Sequence, residues 1–222
     1  MKHLILTRLA LGTPKEDWLR YRIELFEEYC APSLANQTCQ NFTWLLAVRD
    51  NTPDWFIKRA RKISPAAWFI FIESKSIKIK WGENLPRELL GPVLLTTRID
   101  SDDAFHKDFV KEVQSAAKQQ NQSCALDAPL GYSLDQHTHD CFLYQSPRNH
   151  FLTLLEYGTC RTVFCTMHRL IGREFPVVKF CRNKPLWIEG TNWRNVSNRL
   201  QRSNHVVQWN EVRQNFLNAK HH

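Results

Sequence analysis

The chain has 222 residues, of which 43% are apolar and 23% are charged, and this composition excludes a disordered or fibrous protein. Thirty Lys and Arg against 22 Asp and Glu give a formal charge of +8, which suits a phosphate-bearing substrate, an anionic membrane surface or a nucleic acid. The basic residues match no nucleic-acid-binding motif and no apolar run of about 18 residues predicts a membrane span, so we expect a cytoplasmic protein without a nucleic-acid partner.

The first half of the sequence alternates short apolar runs with segments of helical periodicity. Runs of this kind bounded by turn signals predict buried strands, and spacings of three and four predict amphipathic helices. The predicted strands are 3–8, 41–50, 67–72 and 91–99, and the predicted helices are 16–34, 53–63 and 102–120. This order is typical of an α/β fold with a mostly parallel central sheet that is covered by helices on both faces.

The second half carries weaker signals. The predicted strands are 130–135, 139–145 and 162–170, and the predicted helices are 149–158 and 209–220. In sheets of this class the ligand crevice lies beyond the carboxyl ends of the strands, and Asp50 and the acidic stretch that begins at Asp100 both follow a predicted strand.

Three carboxylates stand within four positions in that stretch, at Asp100, Asp102 and Asp103. Such close like charges raise each other's pKa unless a cation or N–H donors keep them ionised. Two carboxylates on a strand-to-helix turn suit Mg²⁺ or Mn²⁺ that is shared with substrate phosphates. The alternative is that Asp102 or Asp103 caps the following helix.

Seven segments follow one another along the chain: "LILTRLALG", "DWLRYRIELFEEYCAPSLANQT", "FTWLLAVRDNTPDWF", "LLTTRIDSDDAFHKDFV", "HFLTLLE", "TVFCTMH" and "PLWIEGTNWRNVSN". They resemble nucleotide-sugar glycosyltransferases of the GT-A fold, and more closely the bacterial rhamnosyltransferase family. The resemblance spans roughly residues 4 to 198.

The resemblance implies roles for individual residues. Thr7, Arg8, Asp50 and Asp100 would contact the nucleotide, and Asp100 and Asp102 would face or bind the metal. Arg98, next to the acidic stretch, is a further candidate to hold the diphosphate. Glu156 would be the catalytic base of an inverting reaction, with an exposed helix residue as the alternative interpretation. His168 is either a further metal ligand or a core histidine.

The resemblance implies a single domain over residues 1–222, with a nucleotide-binding half to about residue 120 and an acceptor-side half beyond it. The expected reaction moves a sugar, for example rhamnose, from a nucleotide-diphosphate sugar to a glycan or lipid-linked acceptor with Mn²⁺ or Mg²⁺. The alternatives are a nucleotidyltransferase and a non-catalytic nucleotide- or glycan-binding protein. Basic segments 58–62 and 75–80 suggest a peripheral contact with the anionic inner membrane face.

Overall fold

The structure is a computed structural model that describes residues 1–12, 15–73, 81–192 and 199–217. The strands of the first half are β1 (Lys2–Ala10), β2 (Thr43–Arg49), β3 (Trp68–Ile72) and β4 (Val93–Asp100). The helices are α1 (Glu16–Leu25), a π-helical segment (Phe26–Cys30), α2 (Ala31–Ala35), α3 (Asp54–Ile63), the short α4 (Trp81–Asn84) and a 3₁₀ turn (Arg87–Leu89).

The second half consists mainly of strands. They are β5 (Ala104–Phe105), β6 (Cys124–Asp127), β7 (Leu130–Asp135), β8 (Cys141–Gln145), β9 (Thr153–Tyr157), β10 (Val177–Lys179), β11 (Trp187–Thr191) and β12 (Val206–Val207). The helical elements are α5 (Phe109–Lys118), a 3₁₀ helix (His168–Arg173) and α6 (Trp209–Phe216).

Two sheets organise these strands. The larger has the order β10-β6-β9-β4-β1-β2-β3, in which β9 runs antiparallel to both its neighbours and the other pairs are parallel. The smaller has the order β12-β8-β7-β11-β5. The mostly parallel α/β sheet predicted from the sequence is confirmed.

The larger sheet is buried on both faces, as its continuous apolar strands require. One face packs against apolar residues of α1, α3 and α5, such as Ile23, Phe56 and Val113. The other face is covered by α4 and by the segment between β9 and β10, with Trp81 and Ile171 in the core. Because helices and loops cover both faces, the edge at the carboxyl ends of β1, β2 and β4 is left for a ligand site.

Three predicted elements are wrong. The helix predicted over 149–158 is replaced by strand β9, because its short apolar run is equally compatible with a buried strand. The strand ends at Tyr157 and is followed by Gly158, which has a φ of +70°. The strand predicted over 162–170 is a loop that leads into a 3₁₀ helix. The helix predicted from residue 102 begins only at Phe109, because β5 intervenes.

Strands from both predicted halves share the larger sheet, since β6, β9 and β10 pair on the far side of β4. The division at about residue 120 therefore describes the order along the chain and not two separate sheets. Within the described ranges, no helix has the length and apolar character that crossing a membrane requires.

Candidate functional site

The carboxyl end of β4 and the neighbouring end of β1 place charged side chains side by side. The parallel register pairs Arg8 of β1 with Asp100, the last residue of β4. Arg98 lies two residues before Asp100, so the alternation of a strand directs both side chains to the same face. The sequence thus builds a compact group of one carboxylate and two guanidinium groups at this edge.

Asp100 is held by both arginines. Its Oδ2 lies 2.6 Å from Nη2 of Arg98 and its Oδ1 lies 3.2 Å from Nη2 of Arg8. Burial alone would raise the pKa of Asp100, but the two cations outweigh burial and lower the pKa well below its usual range. Both guanidinium groups lie over the ring of Phe164, each 5.5 Å from its centroid. Asp100 is therefore ionised, and its cations are fixed by stacking.

Asp102 lies on the side of the cluster that faces the smaller sheet. Its Oδ1 is 2.9 Å from Nη1 of Arg22 on α1, and its Oδ2 accepts a hydrogen bond of 3.5 Å from the Asn192 amide. Gln136 donates to the backbone oxygen of Asp102 at 2.7 Å and accepts from Asn192 at 2.9 Å. The turn after β7 and the end of β11 are thus tied to the acidic stretch.

Asp103 is fully buried and joins three parts of the chain. Its Oδ1 accepts the backbone N–H of Gly190 at 2.9 Å, and its Oδ2 lies 2.9 Å from Nε2 of His150. Burial raises the pKa of Asp103, whereas the hydrogen bond with His150 opposes that rise. Burial would lower the pKa of His150, but Asp103 and Asp100 outweigh it and raise that pKa. The pair anchors β11 and the start of β9 to the end of β4.

Two further titratable side chains surround His150. Oε1 of Glu189, on β11, lies 3.9 Å from Nδ1 of His150, and burial raises the pKa of this glutamate, whose side chain is 15% exposed. The His168 ring lies 6.2 Å from the His150 ring, between centroids. Burial, together with the positive charges of His150, Arg98 and Arg169, lowers the pKa of His168 to about 4.

One group of side chains at this edge could hold a metal ion. Ligand atoms of Asp100, Asp103 and His150 all lie within 4.8 Å of one another. Carboxylate oxygens suit Mg²⁺ and Mn²⁺, and imidazole is acceptable to transition metals. The donor set therefore fits a divalent cation. It shares Asp100 with the prediction, but it has Asp103 and His150 in the places predicted for Asp102 and His168.

The structure excludes helix capping as the role of Asp102 and Asp103. Helix α5 begins at Phe109 and the residue before it is Asp108. Asp102 and Asp103 lie several residues earlier, on the turn between β4 and β5, so neither caps that helix. The counter-ions of the three carboxylates are Arg8, Arg98, Arg22 and His150.

Two of the predicted site residues have side chains outside the charged cluster. Glu156 is opposite Leu94 near the start of β4, whereas Asp100 is at the end of that strand, so the sheet separates them. Glu156 is fully buried in β9, and its carboxylate accepts from Arg161 N–H at 2.7 Å and Thr162 N–H at 2.9 Å, which indicates a structural role. The Thr7 side chain is also buried, and its hydroxyl accepts from the Trp44 indole at 3.0 Å.

The other predicted residues meet at the carboxyl edge. Arg8, Arg98, Asp100 and Asp102 form the charged cluster, and His168 stands beside His150. Asp50 is exposed just after β2, the strand next to β1.

Three members of the site are not predicted from the sequence to be metal ligands or bases: Asp103, His150 and Glu189. Asp103 is predicted only as part of the acidic stretch or as a helix cap, and His150 and Glu189 have no predicted role. The signals are present, since His150 is the first residue of "HFLTLLE" and Glu189 lies in "PLWIEGTNWRNVSN", two of the segments that resemble the family.

Comparison with known proteins agrees with this architecture. S. aureus TarS 1–349 in complex with UDP-GlcNAc superposes with a TM-score of 0.55 at 14% identity, covering 88% of this chain and 60% of that chain. The same protein in complex with UDP gives a TM-score of 0.51 at 13% identity, covering 86% and 61%. The chain thus spans about 60% of the TarS structures that it matches, and at this identity the likeness shows the fold, which is GT-A-like.

A search of curated protein sequences finds no match. The family profile described as "Putative rhamnosyl transferase" matches residues 10–204, which is most of the chain. The chain belongs to that family of glycosyltransferases.

Proposed function

We propose that this protein transfers a sugar, with rhamnose as the first candidate, from a nucleotide-diphosphate sugar to a glycan or lipid-linked acceptor. The observation that carries the proposal is the cluster of Arg8, Arg98 and Asp100 at the carboxyl ends of β1 and β4. The two guanidinium groups, which stack on the Phe164 ring beside a carboxylate, present planar sets of N–H donors that match the oxygens of a diphosphate. The UDP and UDP-GlcNAc complexes of TarS support a nucleotide-sugar donor for this fold.

Divalent metal is part of the proposal, and Mn²⁺ or Mg²⁺ would be held by Asp100 with Asp102, or with Asp103 and His150. When bound, such an ion neutralises the charge that develops on the departing nucleoside diphosphate. Arg8 and Arg98 hold the phosphate oxygens beside it. Asp50, exposed at the end of β2, is placed to accept a hydrogen bond from the base.

The acceptor hydroxyl has to lose its proton to a nearby base. Because Glu156 lies near the opposite edge of the sheet, we assign this role to Glu189. Glu189 is the half-buried carboxylate on β11, and Gly190 next to it donates to Asp103. His150, 3.9 Å from Glu189 and bonded to Asp103, fixes the position of that carboxylate relative to the metal-binding group.

The test is calorimetric titration of UDP, GDP and dTDP into the protein with and without Mn²⁺. We expect one nucleotide to bind, to bind more tightly with Mn²⁺, and to lose that enhancement in Asp102→Ala. A matched control is Glu88→Gln, because Glu88 is exposed at the opposite edge of the sheet, before β4. If none of the three nucleotides binds under either condition, the transferase proposal fails.

Contact with an anionic membrane is a separate part of the proposal. The segment 58–62 lies on α3, where Lys58, Arg61 and Lys62 are exposed, while 75–80 lies outside the described residues. Exposed lysines and arginines near a surface of anionic lipid each add favourable energy that salt screens. Cosedimentation with vesicles that contain phosphatidylglycerol should therefore fall as salt rises, and its absence at low salt would remove this part.

A further inference from the structure

A cavity lies beside the smaller sheet, away from the charged cluster. It has a volume of about 350 Å³ and is lined by the turn between β7 and β8, by β12 and by the start of α6. Its principal side chains are Thr138, His139, Asp140, Gln208, Trp209 and Asn210. Volumes near this value are at the small end of ligand pockets, so the cavity suits one small ligand.

The chemistry of the lining favours a neutral polyhydroxyl ligand. The lining combines a hydroxyl, a carboxylate and two carboxamides, which are planar or compact groups that bind neighbouring hydroxyls. The chain carries a net charge of +8, yet none of the described residues that line this cavity is Lys or Arg. A phosphate or other anion would find the Asp140 carboxylate there without a cation, which is unfavourable.

An aromatic pair borders the same space. The rings of His139 and Trp209 are nearly parallel, at 13°, with their centroids 5.9 Å apart. The Trp209 ring also contacts Tyr29, with centroids 6.3 Å apart, so the indole is fixed from within the protein. Aromatic side chains beside polar groups provide apolar contact area for the C–H groups of a sugar ring.

The turn that carries the polar groups is held rigidly. The carboxylate of Asp135 accepts the backbone N–H groups of His137 at 2.9 Å and Thr138 at 3.0 Å. The backbone oxygen of Asp135 accepts the N–H of His139 at 2.8 Å, and its N–H donates to the Asp140 oxygen at 2.9 Å. Because the backbone is fixed before any ligand arrives, the cost of ordering it on binding is small.

The same turn connects the cavity to the charged cluster. Gln136, which follows Asp135, donates to the backbone oxygen of Asp102 at 2.7 Å, and His139 lies three residues further along. A saccharide in the cavity would therefore lie beside the smaller sheet, which contains β7, β8 and β11, and would be linked to the charged cluster through this turn.

We propose that this cavity is a subsite for a neutral sugar residue of the acceptor, so that the acceptor is a glycan recognised beyond the sugar that reacts. This inference rests on the transferase function proposed above and names its acceptor class. A lipid-linked acceptor recognised through its phosphate would not use this cavity, because no lysine or arginine is among the lining residues that the structure describes.

The test is NMR. Saturation transfer detects binding of the methyl glycosides of rhamnose, glucose, galactose and N-acetylglucosamine, and the chemical shift of the Trp209 indole N–H reports binding at the cavity. At least one glycoside should show transfer and shift the Trp209 signal. Asp140→Asn and His139→Asn should each weaken that binding by about tenfold. Asn tolerates the positive φ of 63° at residue 139, so the second variant removes the ring without straining the turn.

The matched control is His137→Ala, on the same turn but outside the lining, which should bind the glycoside as the unaltered protein does. The inference is overturned if no glycoside affects Trp209, if both variants bind like the control, or if methyl phosphate displaces the glycoside. Nucleotide titrations on the same samples separate the two proposals. Nucleotide binding without glycoside binding overturns only the subsite. Glycoside binding without nucleotide binding overturns the transferase function and with it the acceptor role, and leaves the cavity as a sugar-binding site.

Discussion

Replacing Asp103 with alanine should be among the most damaging changes to the fold of this protein. The side chain is fully buried, and its removal takes away the carboxylate that accepts the Gly190 N–H and that hydrogen-bonds the His150 ring. Breaking a buried pair by removing one partner costs about 3–5 kcal/mol, and part of that cost is the unmet buried N–H. Asp103→Asn keeps an oxygen for Gly190 and should cost less, about 1–3 kcal/mol.

Urea unfolding followed by circular dichroism measures this loss. With a urea slope of about 2–3 kcal/mol per M, the midpoint of Asp103→Ala should fall by about 1–2 M. The double variant Asp103→Ala/His150→Ala should be less destabilised than the sum of the single variants, since the two residues share one interaction. A loss below about 1 kcal/mol, as for a surface substitution, would refute the claim that Asp103 anchors β11 to β4.

Three further outcomes are expected. Burial lowers the pKa of His3 to about 3 from an unfolded value of about 6.5, so the contribution of His3 to folding stability should fall by about 2 kcal/mol between pH 7 and pH 5, and urea unfolding of His3→Gln should show a correspondingly weaker pH dependence. A methyl group at residue 131 would overlap the Trp187 indole, so Gly131→Ala should lower the free energy of unfolding by about 1–3 kcal/mol through overpacking, and with it the thermal midpoint, unless the indole moves, which its near-ultraviolet signal would reveal. Mn²⁺ titrated without nucleotide should bind at least tenfold more weakly than Mn²⁺ titrated with the nucleotide that binds, because three arginines already neutralise Asp100 and Asp102 in the isolated cluster; equal affinities would contradict that reasoning.

The first half of the fold could be predicted because its strands are continuous apolar runs and its helices have a clear period. Strands β1 to β4 and helices α1 and α3 lie within a few residues of their predicted positions. Strand β9 could not be distinguished from a helix, since Phe151 to Leu155 is a short apolar run without a decisive period. Whether it pairs with β4 depends on contacts across the whole sheet, which local patterns do not contain.

The candidate site shows the same limit. Arg8, Arg98 and Asp100 could be predicted, because the ends of adjacent parallel strands meet at one edge. The pairing of Asp103 with His150 joins residues 47 positions apart, and the hydrogen bond from Gly190 joins residues 87 positions apart. Such contacts depend on how the smaller sheet packs against the larger, and Glu189 becomes part of the site only through them.

The charge balance of the cluster explains why the acidic stretch alone could not define its cation. Asp100 and Asp102 are neutralised by Arg8, Arg98 and Arg22, so these carboxylates are stable in the fold without a metal ion. Adding a diphosphate brings in more negative charge than this excess of one guanidinium group can offset while the arginines hold Asp100 and Asp102. A divalent cation restores the balance, so donor and metal should bind together and each should strengthen the other. The arginines therefore do not argue against a metal-dependent transferase; they predict that its metal site is completed by the donor.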